Sequence, residues 1–266
     1  MGNYTLPPKP KGSKFKLIRN IFIAILIIAL YIWTFTSINI DLGKAIERAG
    51  NNFQRVIPKL FSPDWSASGK VAMSMLETVF IAFAGSLMAA IIAVPLAFLA
   101  ARNMMGGVIA STIGKWILSA VRAFPDIILA ILFVVAVGPN AFAGVLAIAI
   151  GSTGMLGKMF AEIIESIDMN IVEAMEASGA NKIQVLFHGV LPQITPEFLS
   201  YAIYRFEVDI RASSILGIVG AGGIGTMIIF ASNNRNWSEM GTILLAIIIV
   251  VTIIDFASAR IRRKIV

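Results

Sequence analysis

Two neighbouring stretches hold residues whose types and spacing could do chemistry. Gly220, Gly222 and Gly225 stand in the order G-x-G-x-x-G within GIVGAGGIGTM, with Gly223 between them and Glu239 downstream. That pattern can cradle a pyrophosphate at a helix amino end, with an acid roughly 20 residues on for a ribose hydroxyl. Just ahead of it, Arg205, Glu207, Asp209 and Arg211 fall within seven residues. Paired acids and bases of this kind serve proton transfer or hold an anion. Either use depends on the element beneath: the glycine pattern works only between a strand and a helix of a parallel α/β unit, and the charged quartet only in a wet or paired setting.

Composition decides what those elements are. Of 266 residues, 58% are hydrophobic and 14% charged, against roughly 25% charged in soluble domains, so the solvent is a membrane. There is no cysteine and one histidine, His188, which excludes a thiolate site and disfavours a histidine-built metal centre. The net charge of +7 sits at the two ends, in Lys9, Lys11, Lys14, Lys16 and Arg19 and in Arg260, Arg262, Arg263 and Lys264. It forms no basic face for nucleic acid. By the positive-inside rule both termini are cytoplasmic, which demands an even number of crossings.

A crossing needs roughly 20 mainly apolar residues. The sequence predicts an all-α integral membrane protein with about six: 21–38 after a cytoplasmic tail 1–20, then 71–101, 117–137, 141–164, 195–229 and 240–259, with a cytoplasmic tail 260–266. An external loop, 39–70, has room for a short amphipathic helix. The stretch 102–115 reads as a cytoplasmic turn, and 138–140 and 232–239 as external ones. The core is 71–259, with a soluble-looking cytoplasmic loop at 168–192. The glycine pattern then lies at the outer end of a membrane helix, too near the end of the chain for a doubly wound sheet. Close helix approach or a bend is the favoured use of those glycines over a nucleotide.

The loop 168–192 contains EAMEASGANKIQVLFHGVLPQ. Asn170 is expected to cap a short helix, Gly179 to stop it in a left-handed turn, and Asn181 to cap a second that ends before Pro192. This stretch resembles the EAA signature of bacterial ABC-importer permeases: E-A-A, three residues, G, nine residues, I-x-L-P. Glu173, Ala174, Gly179, Leu191 and Pro192 match, whereas Met175 stands for the third alanine and Gly189 for the isoleucine. From about Val71 onward the chain is similar to methionine-importer-like permeases. Within them FAGVLAIAIGSTGMLGKMFAEIIESID and YRFEVDIRASSILGIVGAGGIG most resemble the permeases of phosphonate importers.

The resemblance implies a type I importer permease fold with one extra N-terminal helix, in the bacterial inner membrane. It implies a homodimer with two cytoplasmic ATPase subunits that hold ATP and Mg, an extracytoplasmic substrate-binding protein, and no cofactor, metal or catalytic residue on this chain. Glu173, Ala174, Glu176, Gly179, Leu191 and Pro192 would couple to the ATPase. Gly220, Gly222, Gly223 and Gly225 would form the outer-end glycine motif. Arg211, with Glu207, Arg122, Asp126, Ser213 and Ser214, would line the translocation path or its gate.

Charges inside the bilayer carry two readings. At i,i+4 spacing Arg205 can pair with Asp209, Glu207 with Arg211, Arg122 with Asp126 and Lys158 with Glu162, pairs that fix packing or the dimer seam, lock helices or lie near the cytoplasmic boundary. The sharper reading has Arg211, taken as the deepest of its quartet, presenting positive potential to a phosphonate in transit. Glu77 snorkels to the outer interface, and His188 reads as a docking or surface residue rather than a ligand or base. A permease for methionine or another small solute, an intramembrane enzyme and a proton-coupled secondary transporter stand as alternatives. The enzyme lacks a supporting motif and the secondary transporter an internal repeat.

Overall fold

The computed structural model describes residues 14–37, 42–104 and 107–265. The first part of the N-terminal tail, the end of the first expected crossing and residues 105–106 of the expected cytoplasmic turn lie outside them. The described residues are helical, without strands, and divide into two units, one ending at Ile57 and the other running from Pro58.

In the first unit, α1 (Lys14–Ser37) is apolar and its side chains from Lys16 onward are exposed, as suits a helix whose solvent is lipid. An amphipathic helix, α2 (Leu42–Leu60), follows it within the stretch expected as an external loop.

In the second unit, a single-turn helix at Trp65–Ala67 leads into α3 (Ser68–Ala100). The Ser66 hydroxyl and N–H both donate to Asp64 and hold its carboxyl below the usual carboxylate range. Next come α4 (Val108–Arg122), α5 (Asp126–Val137), α6 (Ala141–Glu165) and α7 (Met169–Ala177). A short α8 (Lys182–Gln184) runs through a wide turn, Val185–Val190, into α9 (Leu191–Leu216), and α10 (Ile224–Asn233) and α11 (Trp237–Ile265) close the chain. Among the described residues four helices, α1 of the first unit and α3, α6 and α11 of the second, are long and apolar enough to cross a membrane, six crossings if each bent pair α4/α5 and α9/α10 counts as one.

The bent pairs depart from the sequence reading. One crossing was expected over 117–137 with a turn before it. Instead α4 already starts at Val108, and α4 and α5 meet at 79°. The cause is Pro125, which removes a donor and pushes Phe124 out of helical geometry. Alone, the 12 residues of α5 reach only about 18 Å, short of the roughly 30 Å hydrocarbon layer.

Small residues set the packing. Ala89, Ala93 and Ala97 of α3 are fully buried in a cluster with Leu156, Phe160 and Ile164 of α6. A methyl added at Gly154 or Gly157 of α6 would collide with Arg122 or Leu118 of α4, so these glycines let α4 approach α6 closely.

Candidate functional site

The elbow between α6 and α9 is built by its own backbone. Asp168, whose backbone is extended, caps α7 by accepting from the N–H of Asn170 at 2.9 Å. The expected cap was Asn170. Its amide instead donates to the Asp168 carboxylate at 2.8 Å, because a capping oxygen must precede the first turn. At the other end Gly179 is left-handed, φ +85°. The Ala180 N–H reaches the Met175 carbonyl at 3.1 Å and the Gly179 N–H that of Glu176 at 3.0 Å, the paired bonds of a glycine-terminated helix. Asn181 and Gln184 then exchange reciprocal bonds of 2.9 and 2.8 Å as a capping box.

The second helix does not end before Pro192. It runs through the wide turn into α9, the Leu191 N–H bonding to Leu186 five residues back. Widening the turn absorbs the missing proline donor where a regular helix would break. Gln193, absent from the sequence-level site, clamps the base of the elbow: its carbonyl accepts from the Asp168 N–H at 2.9 Å and its amide donates to Gly189 at 2.6 Å. Its place directly after Leu-Pro was the only available signal.

Val172, Val185, Val190 and Ile194 anchor the elbow in the core cluster, where Phe160 stacks on Phe198 with centroids 3.9 Å apart. Glu173, Ala174, Glu176, Gly179 and Pro192 are exposed and Leu191 is half-buried. Ile171, Ile183 and Phe187 add exposed apolar area to the elbow. The two departures from the EAA pattern touch: a methyl placed on Gly189 would lie 3.0 Å from the Met175 sulfur. The larger residue at 175 thus occupies room left by the smaller one at 189.

Within the membrane-spanning part the charges form two networks. In the first, Asp209 accepts from Ser86 at 2.7 Å, from Ser152 at 2.8 Å and from Arg205 Nε at 2.9 Å. Arg205 also donates to Ser152 and lies 3.7 Å from Asp126 at the start of α5. This network joins α3, α5, α6 and α9, and its Arg205 and Asp209 side chains are 9% and 1% exposed. The expected Arg122–Asp126 pair on one helix is therefore corrected. The α4–α5 break separates the two, Asp126 faces Arg205, and Arg122 makes no ion pair among the described residues.

The second network ties α9 to α11. Arg211 bonds Asp255 at 2.7 Å and Glu207 at 3.1 Å, and Arg262 bonds Glu207 at 3.0 Å. Arg211 is 45% exposed, so by burial Arg205, not Arg211, is the deeper arginine. The i,i+4 pairs Arg205–Asp209, Glu207–Arg211 and Lys158–Glu162 are all present. Ser213 and Ser214 are buried; Ser214 donates to the Ile210 carbonyl, and the Ser213 hydroxyl has no partner among the described residues.

The glycine pattern forms a tight turn between α9 and α10. Gly220, Gly222 and Gly223 all have positive φ, and Gly225 presses against Gly217. The Thr78 hydroxyl of α3 accepts from the Ile224 N–H at 2.7 Å. Around this turn a cavity of about 420 Å³ is lined by Glu77, Asn140 and Thr226 as well as the glycines. No strand precedes the turn among the described residues, so the dinucleotide setting is missing.

Residues 93–266 match the family described as binding-protein-dependent transport system inner membrane component. The phosphite transport system permease protein of Stutzerimonas stutzeri is 41% identical over 201 residues, covering 76% of this chain and 73% of that one. The phosphate-import permease protein of Mycolicibacterium smegmatis is 34% identical over 219 residues, 82% of this chain and 41% of that one. In three dimensions an inward-facing methionine ABC transporter superposes with a TM-score of 0.66 at 23% identity, over 76% of this chain and 99% of that one. The fold is thus that of a type I ABC importer permease.

Proposed function

Because the chain belongs to the family of binding-protein-dependent transport system inner membrane components, we propose that it is the membrane subunit of an ATP-driven importer for a phosphorus oxyanion such as phosphonate or phosphite. ATP and Mg sit on two partner ATPases, which dock on the elbow; a second copy completes the path, and a binding protein delivers substrate at the outer glycine turn. Both termini and the elbow face the cytoplasm. The elbow carries this reading: a rigid, twice-capped helix pair that exposes Glu173 and Glu176 together with Ile183 and Phe187 above a buried valine base. Apolar anchors flanked by charge suit insertion into a partner's groove, and rigidity lets the elbow move the helices it joins.

Along the path, the geometry favours the α4–α5 break for contact with an oxyanion. The Arg211 guanidinium is already held by Asp255 and Glu207, whereas Arg122 is exposed and without an ion-pair partner among the described residues. Asp126 offsets Arg205 close by, which keeps any stop there weak enough for release. Ser213 and Ser214 lie toward the outer end of the same α9.

Reconstitution with ATPase and binding protein tests the substrate. Phosphonate, phosphite or phosphate is expected to stimulate ATP hydrolysis; stimulation by methionine with none by any phosphorus oxyanion would overturn the reading.

A further inference from the structure

Helix α2 is two-faced in a way the transport reading does not use. At about 100° per residue, Ile46, Ala49, Phe53, Val56, Ile57 and Leu60 share one side, and Ile46 and Phe53 are 71% and 66% exposed. Lys44, Arg48, Arg55 and Lys59 fall within an arc of about 60° on the far side, and Glu47 is the acid of this helix.

Connectivity fixes where such a helix can lie. Its last residues belong to the second unit, where the Leu60 carbonyl presses on Gly241 in the first turns of α11. The Asp64 N–H reaches the Ser238 carbonyl at 3.3 Å, and the Thr242 hydroxyl donates to the Asp64 carbonyl at 3.0 Å. That end is therefore held at the outer start of two spanning helices, α3 and α11. At its other end, residues 38–41 alone separate α2 from α1, itself long and apolar enough to span, a leash of roughly 17 Å at full extension. The helix itself is about 28 Å long.

We infer that α2 is an interfacial helix, its Ile46–Phe53 side sunk among acyl chains and its arginines and lysines on anionic phospholipid headgroups. The chemistry is that of amphipathic helices with a basic polar face, whose hold on a surface rises about fivefold for each basic residue near anionic lipid. The helix anchors the entry to α11 and to α3, whose Glu77 lines the cavity at the glycine turn.

The chain lacks cysteine, so Phe53→Cys and Asn51→Cys each give one spin-labelling site on the full-length protein. In nanodiscs of equimolar palmitoyl-oleoyl phosphatidylglycerol and phosphatidylcholine, the label at 53 is expected to be open to oxygen and shielded from a water-soluble nickel chelate, and the label at 51 the reverse. Discs of phosphatidylcholine alone, or Arg48→Gln with Arg55→Gln in the mixed discs, should raise nickel exposure at 53 severalfold. Equal nickel exposure at both positions in the mixed discs would overturn the inference. So would a label at 53 closed to both reagents, which would assign this face to a protein partner, or a contrast indifferent to lipid charge. The measurement needs neither substrate nor ATPase, so it stands apart from the transport reading.

Discussion

The elbow and the Arg205–Asp209 network hold their shapes by opposite means. In the elbow the caps and turns bond residues within five positions of each other, from Asp168–Asn170 to Asn181–Gln184, while Gln193 and the Asn103 amide, which reaches the Met169 sulfur at 3.8 Å, span longer separations. In the network Ser86 and Asp209 are 123 positions apart, and four helices each contribute one group or more. A unit braced by its own backbone can move as one body and keep an exposed face. A unit braced by side chains from several helices ties those helices together, and it fails as a whole when one member is lost, because the remaining charge is left buried.

The widest gap between the two regions is expected from Asp209→Ala. It leaves the buried Arg205 guanidinium with Asp126 alone, 3.7 Å away, as a counter-charge and should cost about 3–5 kcal/mol, read as loss of the thermal unfolding transition or of monodisperse elution after mild heating. Asp209→Asn keeps acceptors for Ser86 and Ser152 and should lose less. A change under about 1 kcal/mol for Asp209→Ala would mean that the network does not brace the bundle as described.

Within the elbow, the contact between Met175 and Gly189 calls for a double-mutant cycle. Gly189→Ile alone should overpack against the Met175 sulfur and cost about 1–3 kcal/mol. Adding Met175→Ala should recover most of it, a coupling of about 1–2 kcal/mol. Purely additive effects would show that the two departures from the family pattern are independent. Asn181→Ala removes half of the capping box and should cost about 1 kcal/mol, measurable as weaker ATPase assembly with the core transition unchanged. Smallest is Arg211→Gln in the half-exposed network, about 1 kcal/mol or less; a loss as large as that of Asp209→Ala would erase the distinction between the two networks.

The same contrast explains what could be read from the sequence. Gly179 and Asn181 announce their turns because cap and partner lie in one short window. The misplaced cap at Asn170 is an error of two residues between neighbouring capping types, decided by the extended backbone of Asp168. Pro192 reads as a stop because a wide turn that tolerates it leaves no mark in the residue pattern. At Pro125 the residue itself is the mark of the break, and hydropathy alone joins the second half of α4 to α5 as one span over 117–137. For the charges, i,i+4 spacing found Arg205–Asp209, Glu207–Arg211 and Lys158–Glu162, each within one helix. Ser86, Ser152 and Asp255 were missed, since nothing local links them to residues more than 40 positions away.

The central claim is that the elbow around Gly179 is where a nucleotide-driven subunit seats. Its most direct test uses the absence of cysteine: Glu173→Cys, treated with a short bifunctional reagent in the assembled transporter. The account predicts a cross-link to the ATPase whose yield changes when ATP is bound and falls when Gly179→Leu distorts the turn. No cross-link from position 173, together with one from Asn140→Cys at the other end of the helices, would contradict it.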